Sequence, residues 1–272
     1  MCRSYHNSPV HGVRGRQTVL VIGTGEMQPP RKTVFHIHTD YSDDCNASIH
    51  DVIESARRSR VQCVAITDHD TIDGARQLAA AGAPLQVIVG EEISTAEGHL
   101  IGLFLREFVE PGMSVRRTAE AIRAQGGLVV VPHPYNRIFG CSLRDRVNDI
   151  LDLIDVVEVF NAQNLLPFPN RKTESFARSH RFPMVVGADS HHRGYLDSCY
   201  QWMEPFDGPE TFLASLRTAH FVVRRHPLTY FVRSADVLLR DKLGWNLPED
   251  YGRNCTRPRP PLELAPVPVR SE

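Results

Sequence analysis

The sequence predicts an α/β protein folded as a closed or nearly closed barrel of about seven strand–helix units, with a metal site at the C-terminal mouth of its strands. Three observations predict it. Short apolar runs alternate with helix-patterned stretches from Thr33 to Arg225, about seven times over, and the turns between them are short. Polar residues able to bind a metal recur where an apolar run stops: His36 and His38, His69, Glu92, His133, and Asp189 with His191. Six of the thirteen histidines stand at such ends or in an adjoining hairpin, which is more than hydrogen bonding inside a core requires. In a parallel barrel these ends share one face, the face on which barrel active sites are built. An open doubly wound sheet is the alternative arrangement.

Taken in order, the first strand lies in TVFHIHTDYSDD, where His36 and His38 are two apart. A pleat of period two puts both imidazoles on one face and Phe35 and Ile37 on the other. Ser48 then caps a helix whose Ile49, Val52, Ile53 and Ala56 recur at helical spacing, with Asp51 three residues past the cap. VQCVAIT is the second strand and runs into Asp68, His69 and Asp70, with Ala65, Thr67 and His69 on one face. An alanine-rich helix over residues 72–81 stops at Gly82. The third strand, LQVIVG, ends in Glu91 and Glu92, and the TAEG turn makes it a hairpin with LIGLFL that brings His99 beside Glu92.

Ser114 opens a helix with Val115, Ala119 and Ile122 on one face, closed by Gly126 and Gly127, and the strand LVVVP ends in His133. Residues 142–153 read as a helix, VVEVF as a strand ending at Asn161, and residues 171–180 as a helix. MVVGA is a strand ending in Asp189, Ser190 and His191, with Val185, Gly187, Asp189 and His191 on one face. A helix over 209–219 and the strand FVVRR complete the alternation, and an amphipathic helix beyond residue 232 offers Val237, Leu238 and Leu243 for docking.

The barrel is thereby expected to fill residues 33–245, with a flexible extension over 1–32 and a disordered, proline-rich tail over 246–272. Gly23, Thr24 and Gly25 do not make a dinucleotide-binding turn, because Gln28 stands where the third glycine is needed and prolines replace the helix. With 31 basic against 32 acidic residues, a non-specific grip on nucleic acid or on an anionic membrane is not expected. No apolar run approaches the ~20 residues of a membrane span, and no secretory leader is apparent. Six cysteines are too sparse and irregular for a disulfide framework, so a reducing, cytoplasmic compartment is expected.

The motifs resemble the PHP family, the polymerase and histidinol phosphatase superfamily of metal-dependent phosphoesterases. His36, His38, Thr39, Ser42 and Asp43 match its opening motif, Thr67 to Asp70 its TDHD, and Gly90, Glu91, Glu92, Ile93 and Ser94 its GxEIS. His99, the His133–Pro134 pair and Ala188 to His191 complete the set, and VEVFN resembles the segment many members carry there. The resemblance implies a distorted (β/α)7 barrel holding two or three divalent ions, Mn, Zn or Fe. His36, His38, Glu92 and Asp189 would hold the first, Asp43, His69 and His191 the second, and Glu92, His99 and His133 the third, with Glu92 bridging. It further implies Glu92, Asp189 and His191 as catalytic, and hydrolysis of a small phosphorylated metabolite or nucleotide by metal-activated hydroxide.

Arg193 and Arg137 are the cations expected to meet the phosphate, with Arg171 and Lys172 as further candidates. Asp68, Asp70 and His192 adjoin donors and could orient them. Histidinol phosphate is disfavoured, because Asp43 and Asp44 stand where that branch usually has Cys and His. Two other readings remain: an amidohydrolase, which commonly needs a bridging lysine that the Glu92 strand lacks, and a metal-binding domain without catalysis.

Overall fold

The computed structural model describes residues 28–136, 141–243 and 245. Seven strands close on themselves. β1 (Arg31–Ile37), β2 (Cys63–Ile66), β3 (Gln86–Ser94), β4 (His99–Leu103), β5 (Leu128–Val131), β6 (Val156–Asn161) and β7 (Met184–Ser190) pair in chain order, and β7 pairs back onto β1. The barrel is present but mixed: β4 runs antiparallel to β3 and β5, and the other neighbours are parallel. The TAEG turn is too short for a parallel crossover, so the strand must reverse. β4 therefore begins at the mouth where its neighbours end, which places His99 there.

Helices α1 (Ile49–Ser59), α2 (Asp73–Ala80), α3 (Val115–Ala124) and α4 (Pro167–His180) lie outside the barrel. The cap at Ser48 is reciprocal, its hydroxyl accepting from the Asp51 amide at 3.1 Å while the Asp51 carboxylate accepts from the Ser48 amide at 2.9 Å. Ile49 and Val52 of α1, Leu78 of α2 and Ile122 of α3 pack on the outer faces of the strands. The stretch over 142–153 is a 3-10 helix, Arg144–Ile150, rather than a longer α-helix.

A separate apolar cluster takes side chains from every barrel strand, including Phe35, Ala65, Ile88, Ile101, Val130, Val156 and Val185. This is the barrel interior. It is plugged at the foot by α5 (Pro209–Leu216), whose fully buried Phe212 lies 5.5 Å from the Phe35 ring.

Three expectations are corrected. Alternation along β1 fails at one residue, because Phe35 points into the barrel and Ile37 packs outside it. His36 has φ +59° and the register to β2 and β7 slips beside it, so a bulge breaks the period of two. Second, FVVRR is not a barrel strand. β9 (His220–Val222) pairs antiparallel with β8 (Tyr200–Met203), which lies antiparallel on the first residues of β1. Third, β1 begins at Arg31, inside the segment assigned to the extension, and the last helix, α6 (Leu228–Lys242), starts before residue 232. Val237 is buried and Leu243 is exposed. The Leu238 side chain, residues 1–27 and residues 246–272 lie outside the described residues. Among the described residues, no helix is long and apolar enough to cross a membrane.

Candidate metal centre

Glu92, in β3 and 1% exposed, stands at the middle of the mouth. Its Oε2 lies 2.9 Å from His36 Nε2 and 3.3 Å from His38 Nε2, while its Oε1 lies 2.9 Å from His99 Nδ1 and 3.0 Å from His133 Nε2. Each oxygen thus faces a different set of imidazoles. Asp189 Oδ1 approaches the first set, 3.5 Å from His36 Nε2 and 3.6 Å from His38 Nε2. The donor atoms of His36, His38, Glu92 and Asp189 all fall within 4.8 Å of one another, as do those of His38, His69 and His191 and those of His69, Glu92 and His99. A cavity of about 220 Å³ opens over them, walled also by Asp44, Asn136, Cys141, Ser142, Gln163, His192, Ser234 and Val237.

The backbone bends to deliver these groups. His36, His133 and Asp189 have φ of +59°, +27° and +48°. Residues with a Cβ rarely adopt such angles, and each costs about 1–3 kcal/mol that the surrounding packing must offset. Three of the eight non-glycine residues with positive φ among the described residues are therefore candidate donors, while others, such as Arg60 and Arg181, end helices.

Charge is concentrated here. Burial opposes a protonated His36, but Asp189, Glu158 and Glu92 outweigh it and raise its pKa well above the ordinary value. Burial likewise opposes ionisation of Glu92 and Asp189, yet the surrounding imidazoles hold both well below the usual carboxylate range. Against burial, Asp44 lifts His191 to about 9, whereas burial prevails at His69 and lowers it to about 4.

Eight of the expected donors meet at this mouth: His36, His38, His69, Glu92, His99, His133, Asp189 and His191. Asp43 does not. Its side chain is exposed, and the neighbouring Asp44 places Oδ2 3.2 Å from His191 Nε2 and 3.7 Å from His69 Nε2. The tight turn formed by the Cys45 amide and the Ser42 carbonyl puts Asp43 on its outer side and returns the chain inward through Asp44. Arg193 is also turned away from the cavity. Its guanidinium bonds the Asn46 carbonyl at 3.0 Å and lies 3.3 Å from the Asp51 carboxylate. Arg137 lies outside the described residues, and Lys172 covers the Tyr135 ring at 3.8 Å.

Of the neighbours, Asp68 accepts from Ser42, whose hydroxyl meets His38 Nδ1 at 3.2 Å, and Asp70 accepts from the Ser94 amide. His192 faces Ser234 of α6. Sequence reasoning passed over Glu158, Gln163 and Tyr230. Gln163 lies 2.7 Å from His191 Nδ1 and 3.1 Å from Asp189 Oδ1, and Tyr230 donates to the Asp189 carbonyl and accepts from the His191 amide. A lone acid inside VVEVF was a readable signal for Glu158. Nothing local marks the other two.

The donors fit a divalent cation. His38 Nε2 is fully buried within the first set without a hydrogen-bond partner, as is Asp44 Oδ1 beside His191. Such orphaned atoms are costly unless something binds them, and mixed imidazole and carboxylate donors suit divalent metals.

A closed α/β barrel that gathers imidazoles and carboxylates at one mouth defines a class of metal-site barrels. Residues 35–206 match the PHP domain, and the chain belongs to that family. Uncharacterized protein MJ1587 of Methanocaldococcus jannaschii is 41% identical over 143 residues, 48% of this chain and 82% of that protein. A two-domain protein of Bacteroides vulgatus containing a predicted PHP-like metal-dependent phosphoesterase superposes with a TM-score of 0.59 at 16% identity, over 78% of this chain and 70% of that one. An amidohydrolase of Chromobacterium violaceum, solved with sulfate, superposes with a TM-score of 0.50 at 17% identity, over 70% of this chain and 97% of that one. At these identities the two structures show a shared fold.

Proposed function

We propose that the chain is a metal-dependent phosphoesterase that hydrolyses a small phosphorylated metabolite or nucleotide, using two or three Mn, Zn or Fe ions. The observation that carries this reading is the division of Glu92, whose two oxygens face two sets of imidazoles at the floor of one cavity. His36, His38 and Asp189 complete one set, His99 and His133 the other, and His69, His191 and Asp44 a third. Paired divalent ions would supply Lewis acidity and a water acidified toward neutrality.

The chain's own residues hold that charge in place. Glu92 and Asp189 stay ionised despite burial, and Asn136, Ser142, Gln163 and Ser234 line the cavity as neutral polar groups. Among the described residues no Arg or Lys lines the cavity, and Arg137, which follows the cavity-wall residue Asn136 in the chain, is kept as a candidate to meet the phosphate beside the metal set. Cys45, Cys63 and Cys199 are buried free thiols, in keeping with the cytoplasmic location proposed.

Hydrolysis of an aryl phosphate and a nucleotide panel, with Mn2+ and with chelator, tests the reading. Chelation and His36→Ala should each abolish turnover; activity indifferent to both would end it. The Chromobacterium violaceum neighbour motivates one amide arm in the same screen, and turnover there without phosphate release would favour amidohydrolase chemistry.

A further inference from the structure

One more buried carboxylate lies beneath the mouth, outside the donor sets. Glu158 of β6 is 2% exposed. Its Oε1 accepts from His36 Nδ1 at 2.7 Å, and its Oε2 accepts from the His133 amide at 2.9 Å and from Asn161 Nδ2 at 3.0 Å. The same Asn161 nitrogen donates to Asp189 Oδ2 at 2.8 Å. A single carboxylate therefore reaches three donor residues, one through its ring, one through its backbone and one through an amide.

Room for Glu158 comes from Gly187 of β7. A Cβ there would sit 1.5 Å from Glu158 Oε1 and 3.0 Å from the His36 Cβ. The carboxylate occupies the space that any other residue at 187 would fill. The partner histidine is treated differently: His38 Nδ1 meets only the neutral hydroxyl of Ser42, with Asp68 one bond further back at 3.0 Å.

We infer that Glu158 is a positioning residue that fixes the ring of His36 with Nε2 toward the ion and ties the first ion position to the third through the His133 backbone. The inference rests on the metal-binding reading above. An imidazole that donates Nδ1–H to a carboxylate is held in one tautomer, and its Nε2 becomes the better donor. The second oxygen holds His133 at the amide that precedes its unusual φ. Loss of Glu158 should thus loosen donors on both sides of Glu92, although it touches no ion itself.

The test is calorimetric titration of Mn2+ into the full chain after removal of bound metal, with melting in chelator as the parallel measurement. Glu158→Gln keeps the shape but removes the charge, and Gly187→Ala keeps the charge but displaces it. Each should weaken Mn2+ binding by roughly 10–100-fold, more than Ser42→Ala does; Gly187→Ala, whose Cβ must push the carboxylate aside, should also lower the melting temperature in chelator. Glu158→Asp, which retains a carboxylate, should recover part of the loss. If the parent chain binds no Mn2+, the metal reading itself fails. If the parent binds and Glu158→Gln binds equally well, the positioning role fails alone. Equal weakening in Glu158→Gln and Glu158→Asp, matched by equal losses of melting temperature in chelator, would also overturn it, since a merely structural role behaves so.

Discussion

The adjacent acids Asp43 and Asp44 make the sharpest residue-scale test. Asp44 faces His69 and His191, and Asp43 points outward. Asp44→Ala should lower kcat/KM and Mn2+ affinity by roughly tenfold or more, while Asp43→Ala leaves both near the parent values; steady-state kinetics on the pair decides it. Glu92→Gln should be severer, on the order of 100-fold in metal affinity, because both sets of imidazoles lose their shared anion. Which of two identical neighbours faces inward could not be read from the chain, since a turn, unlike a strand, has no fixed period. His69 was legible for the opposite reason, since it ends an apolar run whose direction fixes where its last side chain goes; Glu92 was told from its neighbour Glu91 only by the resemblance to the family motif.

At the scale of the element, the helices and parallel strands followed from periodicity and caps, and the departures have local causes. The bulge at His36 left no mark in TVFHIH, because the strained angle is imposed by what packs around it rather than by the residue type. β8 was missed because YQWM has no apolar run: its buried Gln201 earns its place by bonding the Val186 backbone at 3.3 Å in both directions. Where a cap was legible its energy is testable. Ser48→Ala removes the hydroxyl that accepts from the Asp51 amide, leaves the backbone bond to the Asp51 carboxylate, and should destabilise the fold by ~1 kcal/mol, read from the urea midpoint, with metal affinity unchanged because α1 carries no donor.

For the whole molecule, the crowded charges predict a pH optimum of stability in chelator. His191, raised from 6.5 to about 9, contributes stability that is complete below pH 6.5 and lost as pH rises through 9. His69, lowered from 6.5 to about 4, contributes stability present above 6.5 and lost as pH falls toward 4. Glu92 and Asp189, both held low, add to the loss on the acid side. The chelated protein should therefore melt highest near pH 6.5, and a maximum at pH 9 in a melting series would contradict these assignments. Mn2+ at a hundredfold excess over Kd should add about 2.7 kcal/mol.

The reversed strand β4 has a further consequence, for the order in which the molecule assembles. Glu92 and His99 are only seven residues apart and meet across one hairpin, whereas His36 and Glu158 are separated by 122. Local contacts close at little entropic cost and form early, while distant ones wait for the chain to come together. Two donors of the centre, Glu92 and His99, can thus meet on a hairpin before the barrel shuts, and the others are gathered by the act of shutting it. Mn2+ present from the first moment of refolding should speed closure, and Mn2+ added afterwards should only slow unfolding. Stopped-flow fluorescence of Trp202, on the strand that lies beside β1, would separate the two.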